Sequence, residues 1–192
     1  TVSYLEGKWD PNGRYDIASI LPPAEAWEQG DRTLLCGLQT TDAAGVPQES
    51  TGKVSQVDQA VVAQPGECRR VDDQNVLTTV PCAEPHQLET VSIINVAQQF
   101  PGGYPADADM DAFIQDTCTQ NSMDYLGGEE NLYQSTLKPF WGSMSRESWD
   151  AGSRSVNCSL IHDNAGSFST LTGSAKDGRC LLYTSDAADE GL

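Results

Sequence analysis

The sequence predicts an α+β fold: a small, mainly antiparallel sheet, one principal amphipathic helix and disulfide staples. Three observations carry this reading. Short runs rich in β-branched residues recur between turn residues. One long segment keeps a helical spacing of apolar residues. Six cysteines, Cys36, Cys68, Cys82, Cys118, Cys158 and Cys180, are scattered without a C-x-x-C pair. That spacing removes zinc-ribbon and thioredoxin-type motifs and suits disulfides in an oxidising compartment. Buried free thiols in a cytosolic protein are the alternative.

The elements follow in order. "QPGECRRV" reads as a turn at Pro65-Gly66 leading into a short strand. "NVLTTVPC" is a second β-branched run, and the two suit a hairpin-like pair. "LETVSIINV", Leu88 to Val96, is the best strand candidate, with consecutive β-branched residues. "PGGYP" is a loop. From Asp107 the period changes: Met110, Phe113, Ile114, Cys118, Tyr125 and Leu126 share one helical face. Asp107, Asp109 and Asp111 suit the positive end of that helix, and Gly127-Gly128 stops it. "STLKPFW" is strand-like, "SRESWDAG" a helical turn with Ser145 as N-cap, and "SRSVNCSLI" a strand.

A phrase is written twice. "WEQGDRTLLC", Trp27 to Cys36, and "WDAGSRSVNC", Trp149 to Cys158, share Trp, Gly, Arg and Cys at one internal spacing. "YLEG" before the first phrase matches "YLGG" before the second, and "STGK" after the first matches "LTGS" after the second. Landmarks in one order point to a tandem duplication of roughly 120 residues with the first copy truncated. On this reading residues 1–58 are the C-terminal half of a first domain, 59–178 a complete second domain, and 179–192 a non-native tail. "CLLYTSDAADE" in that tail resembles the translation of a transposase adapter used in sequencing libraries, so Cys180 to Leu192 is expected to pack against nothing specific.

Formal net charge is −17, from 11 basic and 28 acidic residues, which disfavours nucleic acid and anionic lipid as partners. Solubility is sufficient reason for the acidity. With 38% hydrophobic residues the chain can bury a core. No apolar run approaches the roughly 20 residues that span a bilayer, so membrane attachment is expected only through an anchor upstream of Thr1.

Cys82, His86 and Glu89 in "VPCAEPHQLETV" offer S, N and O donors to zinc, but only one histidine is near, a second ligand pair is missing and His162 is distant. A hydrogen-bonded structural His86 is the better reading. A Cys82 nucleophile with His86 as base is disfavoured because an oxidised Cys82 attacks nothing. "DADMD" mimics a calcium loop but puts Ala112 where glycine is needed and Cys118 where glutamate is needed. "NCS" at Asn157 fits a glycosylation sequon that is common by chance. Trp149 with Arg154, and Trp27 with Arg32, are read as packing pairs around Gly152 and Gly30 rather than as ligand sites. Trp149 is expected in the core, and Trp27 in the equivalent place. No cofactor is expected.

"PGEC" at Pro65, "VPCAEPHQLETV" at Val80, Cys118 on the helix, and "SWDAGSRSVNCSL" at Ser148 followed by "TGS" at Thr172 resemble the septum formation domain of high-GC Gram-positive bacteria. Departures from the family pattern are Glu67 for Asp, Thr90 between Glu89 and Val91, and Ser153 where the first copy keeps Asp31. The resemblance implies an extracytoplasmic domain, often membrane-anchored, linked to septum formation, and no known reaction. The resulting expectation is a non-enzymatic cell-envelope module binding an envelope or division protein. A metal- or thiol-dependent envelope hydrolase using Cys82, His86 and Glu89, and a generic surface ligand-binding domain, are the alternatives.

Four cysteines in the complete copy allow three pairings. Cys68 and Cys82 flank two adjacent strands. Cys118 lies on the inner face of the helix and Cys158 on a strand that such a helix covers. The expected bridges are therefore Cys68–Cys82 and Cys118–Cys158, with Cys36 left unpaired by truncation.

Overall fold

The computed structural model describes residues 4–42, 45–164 and 166–178, and the backbone of 181–182. In chain order the elements are β1 (Asp16–Ile20), α1 (Ala24–Glu28), β2 (Leu35–Thr41), β3 (Pro47–Gln48), β4 (Cys68–Val71), β5 (Leu77–Val80), β6 (Leu88–Asn95), α2 (Asp107–Tyr125), α3 (Glu129–Gln134), β7 (Lys138–Trp141), α4 (Arg146–Ala151), β8 (Ser155–Ile161), β9 (Asp163–Asn164), β10 (Ser167–Phe168), β11 (Leu171–Thr172) and β12 (Leu181–Leu182). The fold is α+β with antiparallel pairing throughout the paired strands.

Contacts divide the chain into two units: Thr1–Val61 with Met144–Arg154, and Val62–Ser143 with Ser155–Leu192. The division differs from the sequence reading in one segment, since α4 joins the first unit.

The second unit is built on a five-stranded sheet in the order β5-β4-β6-β8-β7. The hairpin expected from the two β-branched runs is β4–β5, with Cys68 opposite Val80. Helix α2 lies against β6, β7 and β8. Its buried residues are Met110, Ile114, Cys118 and Ser122, one stripe at a spacing of four. Phe113, placed on the same face by the sequence, sits at the stripe's margin, edge-on to Phe100 at 5.6 Å. The stripe meets Ile94, Val156, Cys158 and Leu160, all buried. A register shift between Thr90 and Ser92 leaves Val91 as a bulge against β8. Leu88, Glu89, Thr90 and Val91 are buried in succession, as suits the central strand of the sheet, covered on both faces. Helix α3 is an element the sequence did not reveal: "EENLYQ" has no buried residue and therefore no periodic apolar signal.

The first unit has its own small core of Leu5, Tyr15 and Val54, with Trp9, Leu38 and Val57 packed against it. Strand β1 pairs with β2 so that Asp16 faces Gln39 and Ser19 faces Cys36. Strand β7 pairs with β8 so that Lys138 faces Ile161 and Trp141 faces Cys158. The two registers coincide residue for residue at the spacing that separates the repeated phrases, and a short helix lies between the strands in each case. On its other edge β8 pairs with β6 along Ser155–Ile161, whereas β2 pairs with β3 only at Thr40 and Thr41.

Both expected bridges are present, Cys68–Cys82 and Cys118–Cys158, and Cys36 is free and exposed. Of the tail, only the backbone of two residues is described. Leu181 and Leu182 pair with Thr172 and Leu171 in a two-stranded ladder, because β11 presents an open backbone edge there. Residues 179–180 and 183–192, including Cys180, lie outside the described residues.

Candidate functional site

Two constellations deserve a chemical account, one in each unit. In the second unit the loop after β5 turns back at Glu84, whose amide donates to Pro81. It is then fastened on both sides. His86 exchanges two backbone hydrogen bonds with Leu171, Gly173 donates to the carbonyl of Cys82, and Gln87 donates to Arg69. The loop thereby holds Cys82 beside Cys68 at the start of β4, and directs the His86 ring inward. On the sheet, Cys68 is the register partner of Glu89. One ligand atom each of Cys68, His86 and Glu89 lies within 4.8 Å of the others, and all three residues are buried.

The surroundings fix each group. His86 Nδ1 lies 2.8 Å from the carbonyl of Glu84, so this nitrogen carries the proton and donates. Among the described residues the other ring nitrogen, Nε2, is buried and has no hydrogen-bond partner. The Glu89 carboxylate accepts from Tyr125 Oη at 2.6 Å, Ser174 Oγ at 2.8 Å and the Ala175 amide at 2.6 Å. A buried carboxylate with three donors is satisfied and fixed in position.

Burial, and next the bond donated to Glu89, push the Tyr125 phenol well above the usual tyrosine range. Its folded pKa thus exceeds its unfolded value of about 10. The stability it contributes is full below that value and is lost as pH rises through the folded pKa. Tyr125→Phe should cost about 1–3 kcal/mol at neutral pH, since Glu89 loses a donor while staying buried. Urea melts of the two proteins should converge at strongly alkaline pH; parallel curves across the whole range would contradict the assignment.

In the first unit the repeated phrase makes one local structure twice. Arg154 lies 4.3 Å from the Trp149 ring centre, and its Nη1 donates to the carbonyls of Trp149 and Ser153. Arg32 lies 3.8 Å over the Trp27 ring and donates to the carbonyls of Trp27 and Asp31. Gly30 and Gly152 end the two helices at φ 95° and 120°, the left-handed side that glycine enters freely. Each arginine thus pins backbone carbonyls beside its own tryptophan.

The two turns differ in what covers them. Trp149 is 6% exposed and Trp27 45%, so Trp27 takes the equivalent local position but not the equivalent burial. Around the second turn, Gln59 Nε2 donates to Ala151 and Lys8, its Oε1 accepts from the Asp10 amide, Ser153 Oγ donates to Asp10, and the Arg154 amide donates to Asp58. A Cβ on Gly152 would stand 2.7 Å from Gln59 Nε2, whereas one on Gly30 meets nothing within 4 Å. Asp10, Asp58 and Gln59 escaped the sequence reading. They belong to no motif, and their role depends on the return of the chain 92 or more residues later.

Other sequence candidates resolve plainly. The thiol-nucleophile reading of Cys82 is corrected by its bridge to Cys68, which leaves no thiol there. Asp107, in the first turn of α2, accepts from Tyr104 Oη, and Asp111 accepts from Trp141 Nε1. Asn157 is occupied at both ends by the Ala63 backbone, which closes the sequon. His162 follows β8 and is not part of the His86 cluster. Clefts open on the surface of the described residues. One of about 430 Å³ is lined by Tyr4, Cys36, Gly37, Leu38 and Gly52, another of about 550 Å³ by the α2–α3 corner and residues 175–178. Trp149 lines neither.

A family model described as septum formation matches residues 1–158. An uncharacterized membrane protein of Mycobacterium tuberculosis, found in two strains, is 36% identical over 178 residues, covering 90% of this chain. The chain spans 39% of the length of those relatives. No solved structure matches it. No helix among the described residues is long and apolar enough to cross a membrane.

Proposed function

The chain belongs to the septum formation family, and from that premise we propose that it is a non-enzymatic module of the cell envelope, outside the cytoplasmic membrane, that serves division by docking a partner on its first unit. The observation that carries the reading is the uncovered surface around β1 and β2. Ile20, Leu21, Trp27, Leu34 and Leu35 are each 45–64% exposed, and Ile20 faces Leu35 across the strand pair. An apolar group of this kind marks an interaction surface more often than a bare monomer face.

The chemistry of the occupant follows from the matched strand pair. Strand β8 has β6 on its free edge and α2 on its face, with Cys158 bridged to Cys118. Strand β2, in the same register with β1, leaves Cys36 exposed at the corresponding place, beside the 430 Å³ cleft. A strand followed by an amphipathic helix bearing a cysteine on its inner face complements that surface.

The test is localisation in a dividing high-GC Gram-positive host. A fluorescent fusion exported to the envelope should concentrate at septa. Leu34→Asp with Leu35→Asp should spread it evenly while changing stability by no more than about 0.5 kcal/mol, as expected of surface positions. An even distribution of the unaltered chain, or septal retention of the double variant, would refute the reading.

A further inference from the structure

We infer that Cys68, Cys82, His86 and Glu89 form a redox-gated zinc site, closed while the Cys68–Cys82 bridge stands and open when the bridge is reduced. This goes beyond the docking role and does not rest on it. Three independent features converge on the same point. The sulfur of Cys68, a ring nitrogen of His86 and a carboxylate oxygen of Glu89 lie within 4.8 Å of one another in a buried place. Nδ1 of His86 is engaged by the Glu84 carbonyl, and its other ring nitrogen, Nε2, is buried with no hydrogen-bond partner among the described residues. The groups behind these ligands are already aligned: Nδ1–H on the Glu84 carbonyl is the arrangement that orients a metal-binding imidazole. Tyr125, Ser174 and the Ala175 amide hold Glu89 and use three of its lone-pair positions, leaving one for a cation.

The fourth ligand is Cys82, whose sulfur is not among the three clustered ligand atoms and comes to them from the neighbouring loop once the bridge opens. Thiolate, imidazole and carboxylate together form a tetrahedral set suited to zinc. As a disulfide neither sulfur is a thiolate, so the set is incomplete. Opening needs two electrons from an external dithiol. Its thiolate attacks the half-buried Cys82 Sγ, the Sγ–Sγ bond breaks, and Cys68 leaves as thiolate; Cys68 itself is fully buried and cannot be attacked first. The second thiol of the reductant then resolves the mixed disulfide, freeing Cys82 and departing as a cyclic disulfide. Zinc binds both thiolates, and the thiol protons pass to solvent.

The probes are Zn²⁺, and Co²⁺ as its coloured substitute, added to the full chain carrying Cys36→Ser and Cys180→Ser. The oxidised protein should bind neither. After reduction with dithiothreitol and its removal under argon it should bind one ion per chain, with sulfur-to-cobalt charge-transfer absorption. His86→Gln should weaken binding by more than about 10-fold, at least the loss seen on removing an outer-shell partner. Cys82→Ser frees Cys68 without a reductant and keeps the Cys118–Cys158 bridge; it should bind Zn²⁺ more weakly, and His86→Gln added to it should abolish binding. Zinc uptake by the oxidised chain overturns the inference, as does reduced protein that takes up no zinc or that unfolds and is not refolded by it. Binding that ignores His86→Gln points to the Cys118 and Cys158 thiols and overturns it equally.

Discussion

Replacing Trp149 by alanine should cost about 3–5 kcal/mol, and replacing Trp27 by alanine less than about 1 kcal/mol. The two residues make the same local contact: each ring lies under an arginine that also donates to the tryptophan's own carbonyl. The arginine–ring term is thus common to both and is worth about 0.5–1 kcal/mol at an exposed site. What differs is burial, 6% exposed against 45%. Trp149 also stands on a helix whose end is tied to Gln59 and whose next residues are tied to Asp10 and Asp58. Loss of its ring leaves a void beside a fixed backbone, which cannot collapse to fill it. Guanidinium melts of the two variants measure the difference. Equal losses would mean that the stacked pair, not burial, carries the stability of the phrase.

The contrast shows how far the residues could be read before the fold was known. The helix α2 was legible, including the burial of Cys118, because Met110, Ile114 and Cys118 recur at a spacing of four. The hairpin β4–β5, the strand β6 and the cap at Ser145 were legible from local chemistry alone. The phrase around each tryptophan was legible as a structure, since glycine and arginine at fixed spacing make the same turn twice. Its covering was not. Whether Trp27 is buried depends on chain that sits elsewhere in sequence, and no local pattern reports that. The same holds for Gln59, a lone amide in a stretch without periodicity that nonetheless is fully buried and satisfies several separate backbone groups. At the candidate metal site, Cys82, His86 and Glu89 were visible as one motif. Cys68 was missed as a ligand because its sulfur reaches the site through the β4–β6 register, 21 residues away from Glu89.

Breaking the Cys118–Cys158 bridge by the double change to alanine should cost roughly 4 kcal/mol, and breaking Cys68–Cys82 roughly 3 kcal/mol, from the loop lengths alone. The sequence separations are 40 and 14, and the entropy removed from the unfolded chain rises with the logarithm of that length. The packing adds to the difference in the same direction. Cys118 and Cys158 are both fully buried where α2 crosses β8, so alanine at both leaves a void in the centre of the second unit. Cys82 is only half-buried, and its loop is held independently by Leu171, Gly173 and Arg69. The first variant should therefore lose α2 from the sheet before the sheet itself melts. The second should keep near-native hydrogen-exchange protection in α2 and β8. Peptide mapping without reduction checks the pairing, and amide exchange checks the order of loss. A Cys68–Cys158 link, a Cys36–Cys180 link, or a larger loss from the shorter loop would contradict the account. An intact α2 in the Cys118→Ala, Cys158→Ala protein would show instead that the apolar stripe of Met110 and Ile114 holds the helix without its covalent tie.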